Sequence, residues 1–367
     1  MRKYKVIISG GGTGGHIFPA IAIANALKAK KQDIEILFIG AEGRMEMEKV
    51  PAAGYAIEGL WISGLQRRLT LKNLSFPFKL ISSLFKARRI LKKFNPDVAV
   101  GVGGYASGPM LHVAAKAGIP ALVQEQNSYP GITNKLLANK VQKICVAYDG
   151  MERFFPKEKI MLTGNPVRQD ITSLDGKKAR GSEYFNIDPK KKTLLIIGGS
   201  LGARTINQSI EASIHLYAEN NIQVTWQTGK AYFEQAKAVT AKYPEKGIQA
   251  YDFITKMDYA YAVADFVVSR AGAISVSELC LVRKPVILIP SPNVAEDHQT
   301  KNAMALVVHN AALLVKDVEA VEKLGNEVLN LSQNIELQEK LKRNIGQLGK
   351  SDAAEVIADE VISLIKE

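Results

Sequence analysis

The sequence predicts an α/β protein of two Rossmann-like lobes with a deep cleft between them, and three observations predict it. Apolar runs of strand length alternate with helix-length segments, the signature of a parallel sheet covered on both faces. The alternation breaks between residues 164 and 192, where Pro166, Gly176, Gly181 and Pro189 interrupt the periodicity as in an interdomain connection, and then restarts. In each half the first strand runs into a glycine-rich loop that opens a helix, where such folds bind ligands. The boundaries expected are 1–164 and 165–352, with a helix over 353–367 packing back on the first lobe. A chain of 367 residues suits two domains of about 150 residues each.

The first strand, residues 5–9, ends in Gly10-Gly11-Gly12-Thr13-Gly14-Gly15-His16. Such glycines permit positive φ and close approach of backbone to ligand, and the following helix offers unpaired N–H groups and the positive end of its dipole. Pro19 is expected in that helix's first turn, where a missing N–H costs nothing. His16 is the only titratable side chain between Lys5 and Lys28 and sits at the mouth of the loop. It suits proton transfer near neutral pH; the plainer reading is a residue that caps the loop. Gly10, Gly12 and Gly15 also satisfy G-x-G-x-x-G, and Glu42, after the strand at 35–39, can stand for the ribose-binding acid of a dinucleotide site. A soluble nucleotide-dependent oxidoreductase is therefore an alternative. Strands follow at 98–102, 121–124 and 143–147, with helices at 20–31, 108–117 and 132–139. Gly103-Gly104-Tyr105 and Glu125-Gln126-Asn127-Ser128 fall at strand C-terminal ends, and Glu125 reads equally as a base or as a structural carboxylate.

In the second half, strands are expected at 193–199, 223–228, 247–253, 266–269, 286–290 and 313–315, and helices from Arg204, Tyr232, Ile274 and Asp297. Gly198-Gly199-Ser200-Leu201-Gly202-Ala203-Arg204 repeats the phosphate-holding arrangement of glycines and a hydroxyl before a helix. In Ser269-Arg270-Ala271-Gly272-Ala273-Ile274-Ser275-Val276-Ser277-Glu278, the acid lies about one turn into a helix, where a carboxylate can accept from both hydroxyls of a ribose. The polar run from Glu296 to Asn302 suits a sugar.

Lys and Arg number 48 against 36 Asp and Glu, and much of the excess sits in one place. Between Gly59 and Pro96 stand nine basic residues and no acid. Pro77 can open a helix in which Leu80, Leu84, Ala87, Leu91 and Phe94 form one face. Trp61, Leu65, Leu69, Leu71, Leu74, Phe76 and Phe78 flank it in a stretch too basic for ordinary core. Segment 61–94 therefore reads as an interfacial patch for an anionic membrane surface, Arg67, Arg68, Lys72 and Lys79 meeting headgroups. It lacks the regular aromatic platform of single-strand binders, so nucleic acid is not expected. Cys145 and Cys280 lie far apart in apolar runs and read as buried reduced thiols. A strand beginning near residue 4 leaves no room ahead of it for a signal peptide, and no apolar run approaches the ~20 residues of a spanning helix. Neither Asp-x-Asp nor His-x-x-x-His nor a cysteine cluster is present, so no metal is expected.

Seven motifs in register, GGTGGHIFPA, GGYAS, QEQN, GNPVR, GGSLGAR, SRAGAISVSE and EDHQTKNA, span nearly the whole chain. In these the sequence resembles the MurG family, the N-acetylglucosaminyltransferases that make lipid II for peptidoglycan. The resemblance implies the glycosyltransferase-B arrangement, with UDP-N-acetylglucosamine held mainly by the C-terminal lobe and lipid I by the N-terminal one. It implies inverting transfer to the 4-hydroxyl of N-acetylmuramic acid, without cofactor, by a peripheral protein on the cytoplasmic face of the bacterial inner membrane. Residue by residue, it implies Ile254 contacting uracil through its backbone and Glu278 the ribose. Ser200 and Arg168 are implied at the diphosphate side, Asn127 and Gln299 at the sugar, and Thr13, Gly14 and Gly15 at the interlobe cleft. Residues Ala273, Ile274, Ser275, Val276 and Ser277 line the nucleotide pocket in this reading, and His16 or Glu125 is the base. Gln124 stands where a His is expected.

Overall fold

The computed structural model describes residues 3–64, 75–199 and 201–365. Ser200 and residues 65–74, which include Arg67, Arg68 and Lys72, lie outside the described residues. The chain divides into two compact units, Met1–Val167 with Ser351–Glu367, and Arg168–Lys350.

In the first unit the elements run β1 (Lys5–Ser9), α1 (Gly14–Lys30), β2 (Glu35–Ala41), α2 (Glu46–Ala52), β3 (Ala56–Leu60), α3 (Phe76–Phe94), β4 (Val98–Gly101), α4 (Ser107–Lys116), β5 (Ala121–Glu125), α5 (Ile132–Leu137), β6 (Lys143–Val146) and β7 (Ile160–Leu162). All pair in parallel, in the order β3-β2-β1-β4-β5-β6-β7. Both faces are buried: Ile7 points into one apolar cluster with Leu60, Ile90 and Met110, while Val6 and Ile8 point into another with Ile23 and Leu27. That is why β1 reads as an unbroken apolar run rather than an alternation.

The second unit runs α6 (Lys177–Tyr184), β8 (Thr193–Ile197), α7 (Arg204–Glu219), β9 (Gln223–Gln227), α8 (Phe233–Thr240), β10 (Ile248–Tyr251), α9 (Met257–Val263), β11 (Phe266–Ser269), α10 (Ala273–Val282), β12 (Val286–Leu288), α11 (His298–Val307), β13 (Leu313–Leu314), α12 (Ala320–Gln333) and α13 (Ile335–Gln347). Its parallel sheet has the order β10-β9-β8-β11-β12-β13. The last helix, α14 (Ala353–Ser363), belongs to the first unit, where Ile357, Ala358 and Val361 share a cluster with Ile23 and Leu27 and Lys30 pairs with Asp359 at 2.8 Å.

Two expectations need correction. The stretch from 164 to 192 is not merely a connection: it holds α6, which packs on α9 so closely that a Cβ at Gly181 would lie 2.7 Å from Val263. Asn165 stays with the first unit through bonds to Gln124 and Gln126, each 2.9 Å. Pro19 is not in a first turn, because α1 begins at Gly14 and Pro19 lies inside it, unable to donate to the Gly15 carbonyl. The glycines thus continue into the helix and its first turn is Gly14, Gly15, His16 and Ile17.

Candidate functional site

Each sheet reverses its winding beside its first strand, between β1 and β4 in one unit and between β8 and β11 in the other. At such switch points the loops leaving the strand C-termini diverge and open a crevice. Ser9 pairs with Gly101 and Ile197 with Ser269, so in each unit two glycine loops leave the sheet side by side.

In the first unit the loop after β1 meets the loop after β4 at van der Waals distance. Gly104, with φ +84°, has no room for a side chain: a Cβ there would lie 2.3 Å from the Gly11 carbonyl oxygen. Gly103 gives its space to His16, whose Nε2 would lie 3.0 Å from a Cβ at that position. His16 Nδ1 is 3.0 Å from the Gly11 carbonyl and 3.2 Å from Thr13 Oγ1. A carbonyl only accepts, so Nδ1 carries the proton in that contact and Nε2 is the basic nitrogen of the neutral ring. Thr13 is extended and its carbonyl takes the N–H groups of His16 and Ile17, which starts α1.

Glu125, at the end of β5, is buried and spends both oxygens on the loop that follows. Its Oε1 accepts from Asn127 N and Nδ2 at 3.0 and 3.2 Å, and Oε2 from Gly131 N and Asn134 Nδ2 at 3.1 and 2.8 Å. Burial pushes this carboxyl up, and the donors on Asn127, Asn134 and Gly131 pull it back. Asn127 is thereby held at the strand end by the acid two residues before it. Gln124, in the place of the expected His, is buried on Asn165.

In the second unit a pocket of about 370 Å³ lies against Gly199, Arg204, Arg270, Ser275, Ser291 and Gln299. The loop from Gly198 to Ala203 is held tight by Gly202, φ +78°, where a Cβ would lie 2.0 Å from the Thr228 carbonyl oxygen. Gln227 ties it further, donating to the Gly199 carbonyl at 3.1 Å while its Oε1 accepts the Ile254 N–H at 2.9 Å. The N-termini of α7 and α10 follow the two loops, with the open N–H groups that suit an anion. Arg270 bonds the carbonyls of Ile289 and Pro290 at 3.0 and 3.2 Å and pairs with Asp317. Gln299 accepts the Ser291 N–H at 2.8 Å, and two successive left-handed residues, Glu296 and Asp297, turn the chain into its helix.

Glu278 and Arg168, separated by 110 positions, meet at 2.8 Å, and Tyr261 donates to the other carboxylate oxygen at 3.0 Å. Burial raises the Glu278 carboxyl, while Arg168 and Tyr261 hold it down. Of the neighbouring positions on α10, Ala273, Ile274, Ser275 and Ser277 are half-buried, but the Val276 side chain points into the interior and only its backbone can serve a pocket.

Residues 6–146 match the Glycosyltransferase family 28 N-terminal domain and residues 193–357 the Glycosyltransferase family 28 C-terminal domain. The chain belongs to glycosyltransferase family 28. A relative from Parabacteroides distasonis is 55% identical over 100% of this chain and 99% of its own, and one from Cytophaga hutchinsonii is 56% identical over 99% and 98%. Both bear the name UDP-N-acetylglucosamine--N-acetylmuramyl-(pentapeptide) pyrophosphoryl-undecaprenol N-acetylglucosamine transferase. The crystal structure of Acinetobacter baumannii MurG superimposes with a TM-score of 0.80 at 27% identity, covering 98% of this chain and 99% of that one.

Family 28 membership removes the oxidoreductase alternative, and the geometry agrees with that outcome. The Gly12 N–H of its fingerprint is already bonded at 2.9 Å to Glu46, and Glu42, its ribose acid, pairs instead with Lys86 at 2.8 Å. Glu46 is the residue that sequence reasoning missed. It stands in a run of surface-like charges, and the one signal for it is Gly40 at the end of β2, where a strand glycine marks a close approach.

Proposed function

We propose that this family 28 chain is an inverting, metal-independent transferase that moves N-acetylglucosamine from UDP-N-acetylglucosamine to the 4-hydroxyl of the N-acetylmuramic acid of lipid I, forming β-1,4-linked lipid II. The observation that carries this reading is the second unit's pocket, where a glycine loop and two helix N-termini meet Ser275, about one turn before a buried, ion-paired glutamate on the same helix. The diphosphate takes the helix N-termini and Arg168, together with Ser200 of the same loop. Arg168 and Tyr261 occupy one acceptor position on each Glu278 oxygen, and the second position on each serves a ribose hydroxyl. The Ile254 carbonyl faces uracil and Gln299 the sugar.

The base is His16. Nε2 removes the proton of the acceptor hydroxyl as that oxygen bonds to C1 of the sugar, and the C1–O electron pair leaves with the UDP diphosphate. Glu125 has both oxygens engaged and organises the loop that carries Asn127.

The acceptor's tail places the protein at a bilayer, and α3 fits that task. Its inner face is Ser83, Ala87, Ile90 and Leu91, while Phe78, Ile81 and Phe85 stand outward, 70%, 54% and 72% exposed, in line with Arg88, Arg89 and Lys92. An outward apolar stripe that runs into cations is the composition of an interfacial helix.

Calorimetry tests the donor assignment. Wild type binds UDP and not NAD, and Glu278→Ala weakens UDP by ~2–4 kcal/mol, since hydrogen bonds to a charged group are worth ~1.5–3 each. Equal UDP affinity in the variant removes Glu278 from the site.

A further inference from the structure

Nothing in the chemistry above uses Glu46, yet it is 1% exposed at the start of α2 and directed at the glycine loop. Oε2 accepts the Gly12 N–H and Oε1 the Ala41 N–H, both at 2.9 Å. Its place is cut out by glycines: a Cβ at Gly11 would lie 2.2 Å from Oε1, and one at Gly40 would lie 2.5 Å from Cγ. The Gly12 N–H and the Gly11 carbonyl are two ends of one peptide group. The carboxylate sits at one end of that group, and His16 Nδ1, 3.0 Å from the Gly11 oxygen, sits at the other.

We propose that Glu46 is a positioning residue for His16, acting through the Gly11–Gly12 peptide in the manner of a carboxylate–histidine pair with one amide interposed. Hydrogen bonds in a chain polarise one another, so a carboxylate on the N–H makes the carbonyl a stronger acceptor for the imidazole Nδ1–H. The arrangement fixes the tautomer with Nε2 basic, orients the ring over Gly103, and favours the imidazolium formed when Nε2 takes a proton. The proton stays on His16 and does not pass to Glu46. Thr13, Gly11 and Gly103 at the ring, and Gly11, Gly40 and Ala41 around the carboxylate, carry no charge. On the adjoining turn Glu42 and Lys86 neutralise each other.

The inference rests on His16 as the base, so two readouts keep the two claims apart. Long-range proton–nitrogen spectra of the full-length protein labelled with 15N-histidine, the His16 signal assigned by its loss in His16→Ala, report tautomer and pKa without reference to turnover. The neutral wild-type ring is expected to be protonated on Nδ1. Glu46→Gln removes the charge, lowering the His16 pKa by about 0.5–1 unit. Its kcat falls about 5- to 20-fold and the acid limb of the rate profile moves down with the pKa, with UDP affinity within twofold. Glu46→Asp, which keeps the charge, restores the pKa more fully than kcat. A neutral ring protonated on Nε2 in wild type overturns the proposal whether or not any variant folds, as does an unchanged His16 pKa in folded Glu46→Gln. Full turnover by His16→Ala overturns the base assignment alone.

Discussion

His16 carries the proposed chemistry, with its Nδ1 against the Gly11 carbonyl and Thr13 Oγ1. Removing the ring as His16→Ala is expected to lower kcat by ~10²-fold or more, the usual scale for a lost general base, with UDP affinity within twofold. Turnover within a fewfold of wild type returns the question to Glu125. The loop around it is equally testable. Gly104→Ala sets a methyl against the Gly11 backbone at 2.3 Å and forces an alanine to φ +84°. Left-handed strain alone costs ~1–3 kcal/mol, so a lowered Tm and lowered activity are expected together. An unchanged Tm contradicts the close contact. His16 and Glu278 were legible in the sequence because a glycine loop or a helix start announces each. Glu46 was not, because burial of one acid among several exposed ones leaves no mark in composition.

At the scale of elements, the strands that form the centre of each sheet read clearly, since being covered on both faces requires continuous apolar runs; β1 and β11 keep the bounds expected of them. β3 went unread because Ala56-Ile57-Glu58-Gly59-Leu60 is an edge strand with an acid and a glycine in it, and α2 because it is seven residues long and contains Pro51. In α3 the face named from spacing is the inward one, where Ala87 and Leu91 are buried, and the outward stripe of Ile81 and Phe85 was hidden behind it. If that stripe meets a membrane, the protein sediments with anionic vesicles at low salt and is released as salt screens the headgroups. The double variant Phe78→Ser, Phe85→Ser is expected to stay in the supernatant while binding UDP as wild type does. Undiminished vesicle binding by that variant moves the membrane face elsewhere.

At the scale of the molecule, each unit has its own core and its own buried thiol. Burial pushes both Cys145 and Cys280 up to about 12, so neither labels with a thiol reagent until its unit opens. UDP at 100 times its Kd stabilises the unit that binds it by ~2.7 kcal/mol, which slows Cys280 labelling about 100-fold. Cys145 labelling is expected to change far less, and equal protection of both contradicts assignment of the nucleotide to the second unit.

The central claim is a single transfer, and its product tests it most directly. Purified protein given UDP-[13C]N-acetylglucosamine and a short-chain polyprenyl-diphosphate N-acetylmuramyl-pentapeptide, with EDTA present, is to be followed by NMR. The account predicts one UDP released per disaccharide formed, with a β-linkage to the 4-hydroxyl. An α-linked product, release of free N-acetylglucosamine without transfer, or activity that requires added magnesium contradicts it.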